Sequence, residues 1–179
     1  MAEIERTKEA ENLFDEAFLL STNADKDYAT ALTKFGEVLK LLPNDDDSFT
    51  WKRDNKTCTK AEVYYYQGKC CVGLEEFEKA LEYYDKAISL NPNNDGYYYQ
   101  QGHAIATYVL GETEKAADEI EKAAKLSPTD AAKIYFNFGQ NIQSYTGNKK
   151  ETAKYYQKSV EHGDCFGGMA KKRLAEWGM

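Results

Sequence analysis

Two histidines and four cysteines are the residues whose chemistry would be easiest to recognise, and their spacing argues against catalysis. Neither His103 nor His162 has a second histidine or a cysteine at the separation a zinc site needs. Cys58, Cys70, Cys71 and Cys165 contain no paired C-x-x-C arrangement. The adjacent Cys70 and Cys71 would point about 100° apart on a helix, so they read as packing residues, not as a redox pair. Phosphate-loop, nucleophile-elbow, H-E-x-x-H and dinucleotide fingerprints are all missing, and Gly167-Gly168 opening a basic segment is too short a signal to replace them. Carboxylates are plentiful, but lysines follow them at one helical turn, as in Glu75-Glu76-Phe77-Glu78-Lys79 and from Asp118 to Lys122. That is the pattern of a solvated helix face. The expectation is a protein with no catalytic residue, no metal site and no cofactor.

The elements that carry these residues belong to a chain of 179 residues, 42% of them hydrophobic, enough for a core that buries roughly two-thirds of the unfolded surface. Thirty acidic against twenty-three basic residues give a formal charge of −7, which repels nucleic-acid phosphates and anionic membrane surfaces. The start, MAEIERTKEAENLF, is charged and amphipathic, and no stretch approaches eighteen uncharged apolar residues. A cytoplasmic location with reduced thiols is therefore expected, without nucleic-acid or membrane partners.

Self-similarity organises the rest of the chain. The only three prolines, Pro43, Pro92 and Pro128, each lie twelve residues after an alanine: Ala31, Ala80 and Ala116. Four residues after those alanines stand Phe35, Tyr84 and Ile120, and seven after stand Val38, Ala87 and Ala123, so one helical face is specified three times. A fourth, degenerate copy follows with Thr152, Tyr156 and Ser159, where Asp164 replaces the proline. Upstream of these helices, Gly68, Gly102 and Gly139 recur, each preceded at one helical turn by Tyr64, Tyr98 or Tyr135. Glycine in mid-helix costs roughly 1 kcal/mol relative to alanine, so it signals a close helix approach, with Gly68 against Ala80 as the expected contact.

The aromatic, small residue, Ala, bulky residue and Pro series at Tyr64, Gly68, Ala80, Tyr84 and Pro92 resembles the tetratricopeptide repeat (TPR). The resemblance implies an all-α, right-handed α-α superhelix, a TPR solenoid of about four helix pairs plus a C-terminal capping helix. The repeats fall at approximately 5–44, 60–94, 95–130 and 131–163, with the capping helix at 166–178, all in a single domain spanning 1–179. The first repeat departs from the pattern: its opening helix, roughly Glu5 to Leu20, carries Ala10, Leu13, Phe14, Ala17 and Leu20 but no glycine. Residues 45–60 form an insertion, read either as extensions of the flanking helices with Trp51 packed on the array or as a mobile loop carrying a contact residue. In the capping helix, Met169, Ala170, Leu174 and Trp177 occupy one face and Lys171, Lys172 and Arg173 the other.

In this family a second stripe on each leading helix lines a concave groove. Here it comprises Tyr65, Lys69 and Val72, then Tyr99, His103 and Ala106, then Phe136, Gln140 and Gln143, with Asn137 flanking it. The resemblance thus implies a partner-binding groove with an aromatic ladder, flanked by amides able to pair with a peptide backbone. One subclass of the family clamps the C-terminal carboxylate of heat-shock chaperones, and Lys8-x-x-x-Asn12 resembles the first part of that clamp. The remainder is missing, because Tyr66, Gly96 and Gln100 stand where an asparagine and two cations belong. The expected function is an interaction module or adaptor that binds a peptide or protein segment in the groove, co-chaperone-like but without an intact carboxylate clamp. The alternative is a self-associating scaffold subunit of a larger complex, with Trp51 or Trp177 among its contacts.

Overall fold

A computed structural model describes residues 2–92 and 96–179, with the side chains of Ala2, Gly96, Tyr97 and Tyr99 outside the description. Its contacts divide the chain into two compact units, 1–92 and 93–179. The architecture is all-α apart from one short hairpin, with nine α-helices among the described residues.

In the first unit, α1 (Ala2–Thr22) pairs with α2 (Tyr28–Leu41), and α3 (Lys60–Gly73) pairs with α4 (Phe77–Leu90). Asp27 starts α2 by accepting the Thr30 N–H at 3.0 Å, which satisfies one of the orphan donors of the first turn. The pairs join where α3 packs on α2 and on α1. Phe14, Phe35, Val38 and Val63 are completely shielded from water at that junction. Phe14 is the hub, with Phe35, Phe49, Trp51 and Tyr66 rings all within 5.2–5.4 Å of it in edge-on contact.

The insertion folds as an antiparallel hairpin, β1 (Ser48–Trp51) with β2 (Lys56–Thr59), and is neither a helical extension nor a loop. Its alternation decides this, because Phe49, Trp51 and Cys58 all turn inward and are 1–2% exposed, while Ser48, Thr50 and Thr57 turn outward. Asn55 takes the left-handed turn at φ 49°, a conformation its short polar side chain tolerates. Hydrogen bonds fasten the hairpin to α1: the Trp51 indole donates to Asp15 at 3.0 Å, Arg53 donates to Asp15 at 2.8 Å, and Lys52 reaches Glu11 at 2.7 Å. β2 runs straight into α3 through a capping box, in which Glu62 accepts the Thr59 N–H at 2.8 Å and Thr59 accepts the Ala61 N–H at 3.2 Å.

The second unit contains α5 (Gly96–Val109) with α6 (Thr113–Leu126), α7 (Ala131–Thr146) with α8 (Lys149–His162), and α9 (Asp164–Glu176). A single 3₁₀ turn, Pro128–Asp130, leads into α7. α7 packs on both α5 and α6, and α9 packs on both α7 and α8, so each pair is laid beside the one before. Side chains tie the layers together: Gln101 donates to the Ile134 carbonyl at 3.1 Å and Ser159 to the Ala132 carbonyl at 2.8 Å.

Glycine marks the close approaches. A methyl group on Gly68 would meet the Tyr84 ring first, at 2.6–2.8 Å. On Gly139 it would lie 2.9 Å from the Tyr156 ring and 3.3 Å from the Thr152 carbonyl. In these two pairs the bulky residue of the trailing helix thus occupies the space left by the glycine of its leading helix. The fourth copy is structurally complete, since Thr152, Tyr156 and Ser159 are all buried. Where it lacks proline, Gly163 and Asp164 turn the chain at φ 80° and 59°, and the Asp164 carboxylate accepts the Phe166 N–H at 2.6 Å.

Candidate binding surface on the leading helices

Each expected groove residue can be placed within its own unit. In the first, Tyr65 and Lys69 project one turn apart from α3, Tyr65 half-buried and Lys69 exposed. The Tyr65 ring touches those of Tyr66 and Tyr84, with centroids 5.2 and 6.1 Å away. The Lys69 ammonium lies 5.6 Å over the Tyr65 ring and 5.4 Å over Tyr66. Although its side chain meets solvent, surrounding protein desolvates the ammonium and Lys26 adds like charge, so its pKa lies below that of an ordinary lysine.

In the second unit the expected residues separate into two groups. His103 is 7% exposed and sits inside the α5–α6 pair, its Nδ1 2.8 Å from Glu119 Oε2 on α6 and 3.2 Å from Thr107 Oγ1. Phe136 is 2% exposed, stacked 5.3 Å from Tyr156 and 5.8 Å from Phe166 in a core cluster with Ala170 and Leu174. Both side chains pack between helices, His103 because α6 faces it across its own pair and Phe136 because α9 lies against α7 and α8. Tyr99 lies in α5 with its side chain outside the described residues.

Asn137, Gln140 and Gln143 lie along α7 with Gln140 exposed and the other two half-buried. Asn137 is half-buried, and its carbonyl accepts from Asn141 Nδ2 at 2.7 Å. Gln140 and Gln143, with Asn141 and Ser144 on the same helix, form one wall of an open cleft of about 450 Å³. Tyr156 from α8, Arg173 from α9 and Trp177 at the C-cap of α9 complete the lining. The Trp177 ring stacks 5.6 Å from Tyr156 at 26°, and the Lys149 ammonium lies 5.6 Å over its face. Burial raises the pKa of the Tyr156 hydroxyl, and the charge of Arg173 partly offsets the rise.

The capping helix is therefore arranged differently from its expected two faces. Ala170 and Leu174 are buried, Met169 is 49% exposed, and Arg173 and Trp177 share the cleft side one turn apart. That i, i+4 spacing of a cation and a large ring is the signal that sequence reading could have used to find the two residues. Among the described residues, no three histidine, cysteine or acidic side chains gather as metal ligands would. His162 stacks on Tyr135 at 5.3 Å. No described helix is long and apolar enough to cross a membrane.

Comparison with known proteins agrees with this geometry. The family model for the tetratricopeptide repeat matches residues 61–94. A TPR repeat-containing protein of Methanocaldococcus jannaschii is 33% identical over 138 residues, covering 76% of this chain, which spans only 21% of that protein's length. Photosystem I assembly protein Ycf3 of Synechococcus sp. (strain CC9605) is 33% identical over 136 residues, covering 69% of this chain and 70% of Ycf3. Among solved structures, that of MamA superposes with a TM-score of 0.59 at 20% identity, over 86% of this chain and 77% of that one, a likeness of fold. Matching repeat spacing, stacked helix pairs and these relatives agree, and the chain belongs to the tetratricopeptide repeat family.

Proposed function

We infer that this chain is a non-catalytic, cytoplasmic adaptor that holds a peptide or protein segment on the open faces of its leading helices. Tetratricopeptide proteins mediate protein–protein interaction, and one of the relatives is named as an assembly protein. The observation that carries the reading is the cleft between α7, α8 and α9, where amides, a hydroxyl, a guanidinium and two rings converge on about 450 Å³ of open space. Such a mixture suits a peptide: amides pair with its backbone, and rings supply contact area at little cost in side-chain entropy. Tyr65 and Lys69 offer a second contact of the same character in the first unit. Tyr99, whose place in the stripe rests on spacing alone, belongs to the same proposal. His103 and Phe136 act in it from behind, fixing the helices that present the contact residues.

The test is a pull-down from source lysate with the native protein beside a Tyr65→Ala, Gln140→Ala, Gln143→Ala variant. These three side chains are half-buried or exposed, so removing them should leave the helical signal intact while partners disappear. Identical partner lists from the two proteins would end the adaptor reading. Light scattering against concentration on the same pair separates the scaffold alternative, in which an oligomer survives the substitutions. Trp51 is shut out of any such contact, being 2% exposed beneath the hairpin.

A further inference from the structure

The cleft of the second unit runs against the chain's own charge. Acidic residues outnumber basic ones by thirty to twenty-three, yet among the described residues no carboxylate lines the cleft and Arg173 is its one charged side chain. A second cation, Lys149, stands over the Trp177 ring at 5.6 Å. Arg173 is engaged by Glu176 at 3.2 Å, but this pair lies one turn apart on a single helix, with its side chains 55% and 45% exposed. Water competes with a pair of that kind, so the guanidinium can exchange Glu176 for a better-placed carboxylate. Around it the neutral groups are amides and hydroxyls: Gln140, Asn141 and Ser144 on one side, Tyr156 on the other.

We propose that this cleft takes an extended segment of a partner protein bearing an aspartate or glutamate side chain. Arg173 holds the carboxylate, the α7 amides pair with the segment's backbone, and the Trp177 ring covers an apolar side chain two residues from the acid. A guanidinium meets a carboxylate with two parallel donors, which fixes orientation as well as adding affinity. The spacing fits an extended peptide, because its side chains two apart stand about 7 Å from one another on one face, against about 6 Å of rise between Arg173 and Trp177. The inference rests on the adaptor reading and names the chemistry of its guest.

The experiment uses the full chain and its own fluorescence. Of the two tryptophans, Trp51 is 2% exposed and hydrogen-bonded to Asp15, so a change of emission on adding ligand reports Trp177. The probe is an N-acetylated, C-amidated hexapeptide alternating aspartate and leucine. Beside it run the same peptide with asparagine for aspartate, and the asparagine peptide with a free C-terminus. The aspartate peptide should bind about ten-fold more tightly than its asparagine counterpart. Arg173→Gln should erase that ratio with far-UV circular dichroism unchanged, and Glu176→Gln should raise affinity by removing the competitor. Equal affinity for the two amidated peptides, or a preference that survives Arg173→Gln, overturns the proposal. Binding confined to the free-terminus peptide also overturns it, by assigning the anion to a chain end instead of a side chain. Partner capture from lysate that persists in Arg173→Gln leaves the adaptor reading standing and removes only this inference.

Discussion

Burial pushes the thiols of Cys58 and Cys70 up to about 12 and that of Cys71 up to about 11, because a thiolate in those positions would lose its water. The nearby carboxylates Glu62 and Glu76 act in the same direction at Cys58 and Cys71. Only Cys165, in the first turn of α9, meets solvent. Thiolate is the reactive form, so the native protein at pH 8 should release one equivalent of thionitrobenzoate from Ellman's reagent and four after denaturation. A rapid native count of two or more would contradict the buried placement of Cys70 and Cys71. Sequence reading had already assigned these two to packing, from the angle between neighbours on a helix. The hydrogen-bonded burial of His103 escaped it, because its partner Glu119 lies sixteen residues away on another helix. Periodicity can say that a side chain shares a face with others, but not that a complementary group waits opposite.

The hairpin is the element least like the rest. Its two strands contribute Phe49, Trp51 and Cys58 to the first unit's core, and Asp15 of α1 secures it from outside. Removing that acceptor with Asp15→Ala leaves the Trp51 indole N–H without its partner and should cost about 1 kcal/mol in urea unfolding at pH 7. Hydrogen bonding from Arg53, then from Trp51, holds the Asp15 carboxyl below its ordinary value against the opposing effect of burial. A depressed acid stabilises the fold above its unfolded pKa, near 3.9, and loses that contribution as pH falls through the lower folded value. The gap between native protein and variant should therefore narrow from pH 7 to pH 3; a gap independent of pH would remove the role assigned to the Asp15 charge. Local signals for this element stand in the sequence without deciding it. Ser48 to Trp51 alternates inward and outward, and Thr59-Lys60-Ala61-Glu62 is a capping box. Two strands of four residues are too short for periodicity to outweigh a helical setting, so only Trp51's packing was legible.

At the scale of the whole chain, each core cluster among the described residues lies within one of the two units. Phe14 and its neighbours belong to the first, and the clusters around Phe138 and Tyr156 belong to the second. Repeat arrays draw their stability from within each pair and from the pair beside it, so such pieces can stand alone. A fragment of residues 93–179 should give a helical far-UV spectrum and melt cooperatively, and it should keep the Trp177 response to the aspartate peptide. A spectrum of unfolded chain would show that this unit draws essential support from residues 1–92.

What the sequence by itself determined is the repeating part. Alanines twelve residues before prolines, and glycines one turn after aromatics, specify helix pairs because close packing allows few residue types at those points. The tertiary structure alone decided which face of each helix stayed open. Phe136 and Gln140 sit one turn apart on α7, yet α9 covers the first and leaves the second to line the cleft. Arg173 and Trp177 enter the same cleft because α9 is laid against both α7 and α8. Exposure depends on neighbours distant in sequence, and a periodic pattern carries no record of where they fall.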